Sequence, residues 1–303
     1  YIYDDEYTLE DVYGSHPYDE EFTAFANAMD AFEDVANITF TESNSINDSH
    51  ILWAVLNDEH SNEPGETGTL GYAYIPKNEV YGGLATINYD EYSTSGELND
   101  EEILLPGSYY YITAIHELGH ALGLDHPFEG NKFPGVNDTY DLGDNGFNAQ
   151  PYTFMTYNDV DANEYMPEGD TDNGFLEGLG AFDIAAIQYL YGANINLNTD
   201  DTIYYHDEEE SNGWFCIWDN GGQDVITAVG QTDSVRINLK NATLENSLGG
   251  GGFISRLGTQ NIGYLIAYNS TGNCVIENAI GGLNNDTLTG NEYDNNLYGG
   301  AGN

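Results

Sequence analysis

The segment HELGHALGLDH, residues 116–126, brings three imidazoles and a carboxylate into one short stretch of chain. On a helix, His116 and His120 stack on one face, about 5.4 Å from each other. Imidazoles so spaced suit neighbouring corners of a zinc tetrahedron. Gly123 allows a positive φ at the helix exit, and that sharp turn returns His126 as a third ligand. Three protein ligands leave the fourth position to water, the pattern of a catalytic zinc rather than a structural one. Glu117 follows the first ligand. It is placed to take a proton from that water as it attacks a peptide carbonyl, then to deliver it to the leaving amine. His16, His50, His60 and His206 have no ligand spacing and read as surface, loop or core residues. There is no GxSxG elbow, and Cys216 and Cys274 form no CxxC pair, so neither acyl-enzyme chemistry nor a cysteine zinc site is expected.

The segment needs a helix beneath it, and the pattern predicts one over Tyr109–Leu122. A second is predicted over residues 19–36, where Phe22, Phe25, Met29, Phe32 and Ala36 recur at helical spacing between acidic residues. A third, AFDIAAIQYLY over Ala181–Tyr191, meets a stop at Gly192. β-type runs lie at Ile38–Thr41, Ile51–Leu56, Gly71–Ile75 and Ala85–Tyr89, with Asn-, Ser-, Pro- and Gly-rich loops at 43–49 and 61–69. Strands interleaved with helices argue for an α/β sheet domain. Residues 127–176 form a long irregular stretch, and loops of that length in compact domains are usually functional.

Beyond residue 200 the helical period disappears, and short β-branched runs alternate with Gly and Asn turns. A boundary near residue 195 divides the chain into a domain over 1–195 and an all-β domain over 196–303. Its end repeats with a period of nine, as GGLNNDTLT, GNEYDNNLY and GGAGN. Gly281, Gly290 and Gly299 share a column, as do Asp286 and Asn295, and Leu288 and Leu297. The third copy stops at Asn303, so the natural chain is expected to run further. The start at Tyr1, without a basic or apolar leader, reads as that of a processed product.

The formal net charge is −47, with five cations: Lys77, Lys132, Arg236, Lys240 and Arg256. No basic patch is available to displace phosphate counterions, so nucleic acid is not expected as a partner, and an anionic membrane surface would repel the chain. Some carboxylates are expected to bind Ca²⁺, and the rest to form a solvated surface suited to salty or marine water.

Taken together, the long zinc motif is the metzincin signature, and the chain resembles a serralysin-type metalloprotease of that group. His126 is followed by Pro127, as in that family, and FMTY at 154–157 resembles its Met-turn. Segments 34–42, 182–194, 217–224, 236–239 and 275–282 also look like family segments. The N-terminal 1–18 and the loop 128–150 match it poorly. The resemblance implies a metzincin catalytic domain of α/β (α+β) type, with a twisted mixed sheet and a long active-site helix. A truncated parallel β-roll domain follows. Met155 would lie under the zinc histidines, and Tyr157 would ligate zinc at rest and stabilise the oxyanion during turnover. Ala73 and Tyr74, in GYAYIP, would pair with an extended substrate.

The nonapeptides resemble the Ca²⁺-binding roll of RTX proteins. Backbone carbonyls of Gly281 and Leu283 and the carboxylate of Asp286 would ligate there, with Asn295 making a weaker second site. A second calcium loop is implied at Asp219, Gly221 and Asp224, with Asn198, Asp200 and Thr202 as its partners. Cys216 and Cys274 are either a disulfide or two buried thiols. The implied protein is a secreted, monomeric endopeptidase acting on extracellular proteins and peptides, with one Zn²⁺, several Ca²⁺ and a possible proteinaceous inhibitor as a further partner. The rival readings are a non-catalytic RTX adhesin or scaffold, against which Glu117 argues, and a metzincin of narrow specificity.

Overall fold

The computed structural model describes residues 19–43, 49–56, 70–73, 84–88, 105–158, 174–205, 213–257 and 263–302. Helix α1, Asp19–Val35, buries Phe25, Ala28 and Phe32 on one face, as its apolar spacing requires. Three strands follow: β1 (Leu52–Leu56), β2 (Gly71–Ala73) and β3 (Leu84–Asn88). They form a mixed sheet in the order β1-β3-β2, with β1 parallel and β2 antiparallel to β3, so among the described residues β2 lies at an edge. Residues 38–41 join no strand ladder among the described residues, contrary to the sequence pattern. The Phe40 amide instead donates to the Glu33 carboxylate, while Ile38 and Phe40 lean on the core.

Helix α2, Tyr109–Ala121, starts at Ser108, whose hydroxyl accepts the Tyr111 amide at 3.2 Å. It is buried almost throughout, between α1 and strands β2 and β3. Its exit is wrapped by amide bonds from Gly123 to His120 (2.9 Å) and from Leu124 to Gly119 (2.9 Å), with Gly123 at φ 105°. Helix α3, Ala181–Tyr191, stops at Gly192, whose φ is 86°.

The remaining strands are short. They are β4 (Ile203–Tyr205), β5 (Trp214–Ile217), β6 (Val225–Thr227), β7 (Arg236–Asn238), β8 (Ser255–Arg256) and β9 (Gly263–Ile266), then β10 (Asn278–Ile280), β11 (Thr287–Thr289) and β12 (Asn296–Tyr298). One sheet, β12-β10-β6-β4, is parallel throughout, and the other runs β11-β7-β8-β9-β5. Strands β10, β11 and β12 begin nine residues apart and alternate between the two sheets, so Asn278 pairs with Asn296, two repeats on. Successive nonapeptides thus place their strands in alternate sheets. Leu288 packs inward against the core, whereas Leu297, on the last rung present, is 43% exposed.

The buried cluster is continuous from Phe32 through Ile187 to Ile266, so the residues on either side of position 195 share a core. Trp218 anchors that join: it is 2% exposed, and its indole N–H donates to the Asn194 carbonyl at 2.8 Å.

Candidate metal centre

Helix α2 and its exit bring the ring nitrogens of His116, His120 and His126 together. His126 Nε2 stands 3.1 Å from both His116 Nε2 and His120 Nε2. The opposite nitrogens decide what those atoms are. His116 Nδ1 donates to the Phe154 carbonyl (2.9 Å), and His120 Nδ1 to the Leu124 carbonyl (2.8 Å). Carbonyls only accept, so both Nδ1 atoms carry the proton and both Nε2 atoms present lone pairs. His126 Nδ1 contacts Glu129 Oε2 at 3.2 Å, which gives the same tautomer. Burial, then the neighbouring imidazoles, holds His116 well below the usual histidine range, and burial lowers His120 too. Both are thus neutral, as ligands must be.

Three converging lone pairs have nothing to bond to among themselves, and a cation satisfies all three. A tetrahedral zinc with bonds of about 2.0–2.1 Å sets its nitrogens about 3.3 Å apart, close to the separations here. The donor set therefore fits zinc.

Glu117 is 5% exposed, and burial pushes its carboxyl up to about 8. Its Oε2 has no hydrogen-bond partner among the described residues. The carboxyl lies against the edge strand: a Cβ added to Gly71 of β2 would sit 3.0 Å from Glu117 Cγ and 3.1 Å from Oε1. Sheet edge and carboxylate thus share one space. Ala73 lies on that edge, and Tyr74 falls outside the described residues.

Met155 is 2% exposed and packs beneath the helix, where a Cβ on Gly119 would meet its Sδ at 2.8 Å and Phe154 Cε2 at 2.6 Å. Sequence reasoning did not single out Gly119, because a glycine inside HExxH is consistent with any residue there. Tyr157 is 49% exposed, and its ring centroid lies 5.6 Å from that of His116 and 4.8 Å from that of His126. Burial, then the Glu117 charge, pushes its hydroxyl up to about 12. Asp183 is a further residue that sequence reasoning missed. Its carboxylate accepts from Thr153 Oγ1 (2.6 Å), Phe154 N (2.9 Å) and Gly180 N (2.9 Å), which fixes the turn before Met155 to the start of α3.

A second site forms where two loops meet. Asn220 N donates to Asn198 O (3.0 Å), and Thr202 N to Asp224 Oδ1 (2.8 Å). Gly222 approaches Asp200 so closely that a Cβ would lie 2.6 Å from its carbonyl oxygen. Asp219 and Asp224 are fully buried, and Asp224 Oδ2 has no hydrogen-bond partner among the described residues. Burial, then Asp219 and Glu277, pushes Asp224 up to about 7. Two buried carboxylates with an orphaned oxygen among loop carbonyls fit a hard cation such as Ca²⁺. Gly221, at φ 119°, gives the turn its bend, and its amide donates to Asp219 Oδ1 (2.9 Å). Glu277, missed from sequence, joins this cluster by accepting the Asp224 amide at 2.9 Å.

In the nonapeptides, Asp286 accepts from Val235 N (2.9 Å) and Gly282 N (2.7 Å), and Gly281 lies against it. Asn295 takes the equivalent place by accepting from Asn291 N at 2.8 Å. Leu283 is 56% exposed, with its amide on the Gln231 carbonyl. The disulfide alternative is not realised: Cys216 and Cys274 are free, buried thiols. Cys216 is fixed by strand pairing with Leu265, and the Cys274 thiol is directed to the Ile217 carbonyl at 3.9 Å and receives the Asn241 amide at 3.8 Å. His16, His60 and His206 lie outside the described residues.

This helix, exit turn, third histidine and underlying methionine define a metzincin. Comparison with known families agrees. The matrixin family matches residues 4–133, a met-zincin family matches 105–203, and the serralysin C-terminal family of M10 peptidases matches 181–303. The chain is 32% identical to the metallopeptidase AprA of Pseudomonas marginalis, over 89% of this chain and 54% of that protein. It is 32% identical to a serralysin of Photorhabdus luminescens (91% and 55%) and 33% identical to one of Proteus mirabilis (89% and 54%). It spans about half the length of the curated relatives it matches. The chain belongs to the serralysin-type metzincins, a family with catalytic zinc and structural calcium.

Proposed function

We propose that this chain is the catalytic and calcium-binding part of a secreted zinc endopeptidase that cleaves extracellular proteins and peptides. The observation that carries the reading is the convergence of three Nε2 lone pairs on α2 and its exit, beside a buried carboxylate and a sheet edge. His116, His120 and His126 hold the metal, with Tyr157 as a resting-state ligand. Zinc supplies Lewis-acid polarisation of the scissile carbonyl and of water. Glu117 accepts the proton at a carboxylate oxygen as the new C–O bond forms, and returns it to the amine as the C–N bond breaks. Tyr157 donates its hydroxyl hydrogen to the oxyanion. Ala73 on β2, with Tyr74 after it in the chain, is the segment that pairs with an extended substrate.

The finer domain reading is a catalytic unit over 1–195 and a calcium-binding unit over 196–303, the latter closing in a parallel β-roll. Calcium sits between 198–202 and 219–224, through Asn198, Asp200, Thr202, Asp219, Gly221 and Asp224, and in the roll through Gly281, Leu283 and Asp286. The chain acts as a monomer, and a proteinaceous inhibitor is a natural partner for its cleft. Secretion is consistent with the described residues containing no helix long and apolar enough to cross a membrane.

The test is metal analysis beside casein hydrolysis. We expect one zinc per chain, activity abolished by o-phenanthroline, and a Glu117→Ala variant that keeps zinc but cleaves nothing. A metal-free preparation that digests casein ends the proposal.

A further inference from the structure

The three imidazoles are not held alike. His116 and His120 stand on α2 and donate to buried backbone carbonyls. His126 stands beyond the helix, and the chain folds back over it. The Glu129 amide donates to the His126 carbonyl at 3.1 Å, which brings both following side chains onto the ring. Phe128 stacks face to face on the imidazole, with centroids 4.6 Å apart and planes 11° apart. Glu129 Oε2 accepts Nδ1 at 3.2 Å. Tyr157 closes the remaining side, 4.8 Å from His126 and 5.1 Å from Phe128.

We propose that Phe128 and Glu129 are positioning residues that latch His126 in ligand geometry and set how fast the metal leaves. This rests on the zinc reading above. A carboxylate on Nδ1 fixes the tautomer and raises the basicity of Nε2 more than a neutral carbonyl does. Phe128 is 7% exposed, and its stacked face limits ring rotation without charge. The Glu129 side chain is 58% exposed, so its contact is screened by salt, whereas the buried carbonyl contacts of the other two histidines are not. His126 is therefore the ligand whose hold depends on ionic strength, and the one whose departure opens the site.

The experiment follows zinc transfer to a chromogenic chelator from the calcium-loaded protein, at low and high ionic strength. The visible absorption of the Co(II)-substituted protein reports ligand geometry. Glu129→Gln should release zinc about tenfold faster at low salt, alter the Co(II) bands and respond less to salt. Glu129→Asp should recover part of the hold. Phe128→Leu should also speed release but keep the salt response. Asp138→Asn, which removes an exposed charge from the same loop, should release at the wild-type rate.

A Glu129→Gln rate equal to wild type at both salts overturns the latch. So does an equal acceleration in Asp138→Asn, since the effect would then be general field alone. If Glu129→Gln does not fold, a wild-type release rate unchanged by salt overturns it equally, and a rate that rises with salt supports it. A wild type that binds no zinc is a different outcome, because it removes the functional reading itself.

Discussion

His116 Nδ1 donates to the carbonyl oxygen of Phe154 at 2.9 Å, tying the first zinc-facing imidazole to a loop 38 residues downstream. The amide of the same residue donates to Asp183 at 2.9 Å, so the ligand, the loop under the metal and the start of α3 form one hydrogen-bonded chain. The metal centre is thus supported from outside its own helix.

Removing Asp183 should therefore be felt at the zinc. Asp183→Ala leaves Thr153, Phe154 N and Gly180 N without their acceptor in a dry site. We expect a loss of about 3 kcal/mol in urea unfolding of the calcium-loaded protein, and weaker zinc binding. Asp183→Asn keeps an acceptor for the two amides and should lose less. Equal stability of Asp183→Ala and wild type would refute the link.

Asp183 also sets a pH dependence. Burial, opposed by its three donors, pushes it up to about 7 from an ordinary value of 3.8. The folded pKa is above the unfolded one, so the fold penalises the charged form. That penalty is full above pH 7 and fades as pH falls towards 3.8. This group alone makes stability rise as pH drops from 8 to 5. Denaturant midpoints across that range should show a slope that flattens in Asp183→Asn, and an unchanged slope counts against the assignment.

Gly119→Ala tests the packing beneath the site. The new methyl would meet Phe154 at 2.6 Å and Met155 Sδ at 2.8 Å. Overpacking of this kind costs about 1–3 kcal/mol, offset only slightly by better helix propensity. We expect a lower melting temperature in both zinc-loaded and zinc-free protein. A stabilised variant would show that the turn moves freely.

Calcium should hold the β-rich part together. Two fully buried carboxylates, Asp219 and Asp224, belong to one tight loop, where the Asp219 charge acts on Asp224. Without a cation they repel, and Asp224 is driven towards its protonated form. Chelation should lower the melting temperature, and Asp224→Ala should lose most of the calcium-dependent increment. Superimposable melting curves with and without chelator would dismiss the calcium reading.

Much of this molecule is written locally. The spacing of His116, His120 and His126 and the position of Gly123 determine a metal-binding helix with a turned exit, because a helical period and a positive φ are short-range properties. The buried face of α1 follows from its apolar period, the stop of α3 from Gly192, and the three evenly spaced strands β10, β11 and β12 from the nonapeptide. The run at Ile38–Thr41 reads as a strand but joins no ladder among the described residues, because β-type residues do not specify a partner, and its amide and side chains found other uses.

What the tertiary structure alone decided are the contacts between distant segments. Asp183 reads in sequence as an ordinary acid in the first turn of a helix, yet its carboxylate serves the loop under the metal. Glu277 reads as one acid among many and comes to rest on Asp224. Cys216 and Cys274 admit a disulfide on paper, and in the folded chain both are free buried thiols, with the Cys274 Sγ directed to the Ile217 carbonyl. Residue types and spacing along one helix are enough to state which chemistry is available. The support for that chemistry depends on which atoms long loops bring within hydrogen-bonding distance, and only the folded chain fixes those distances.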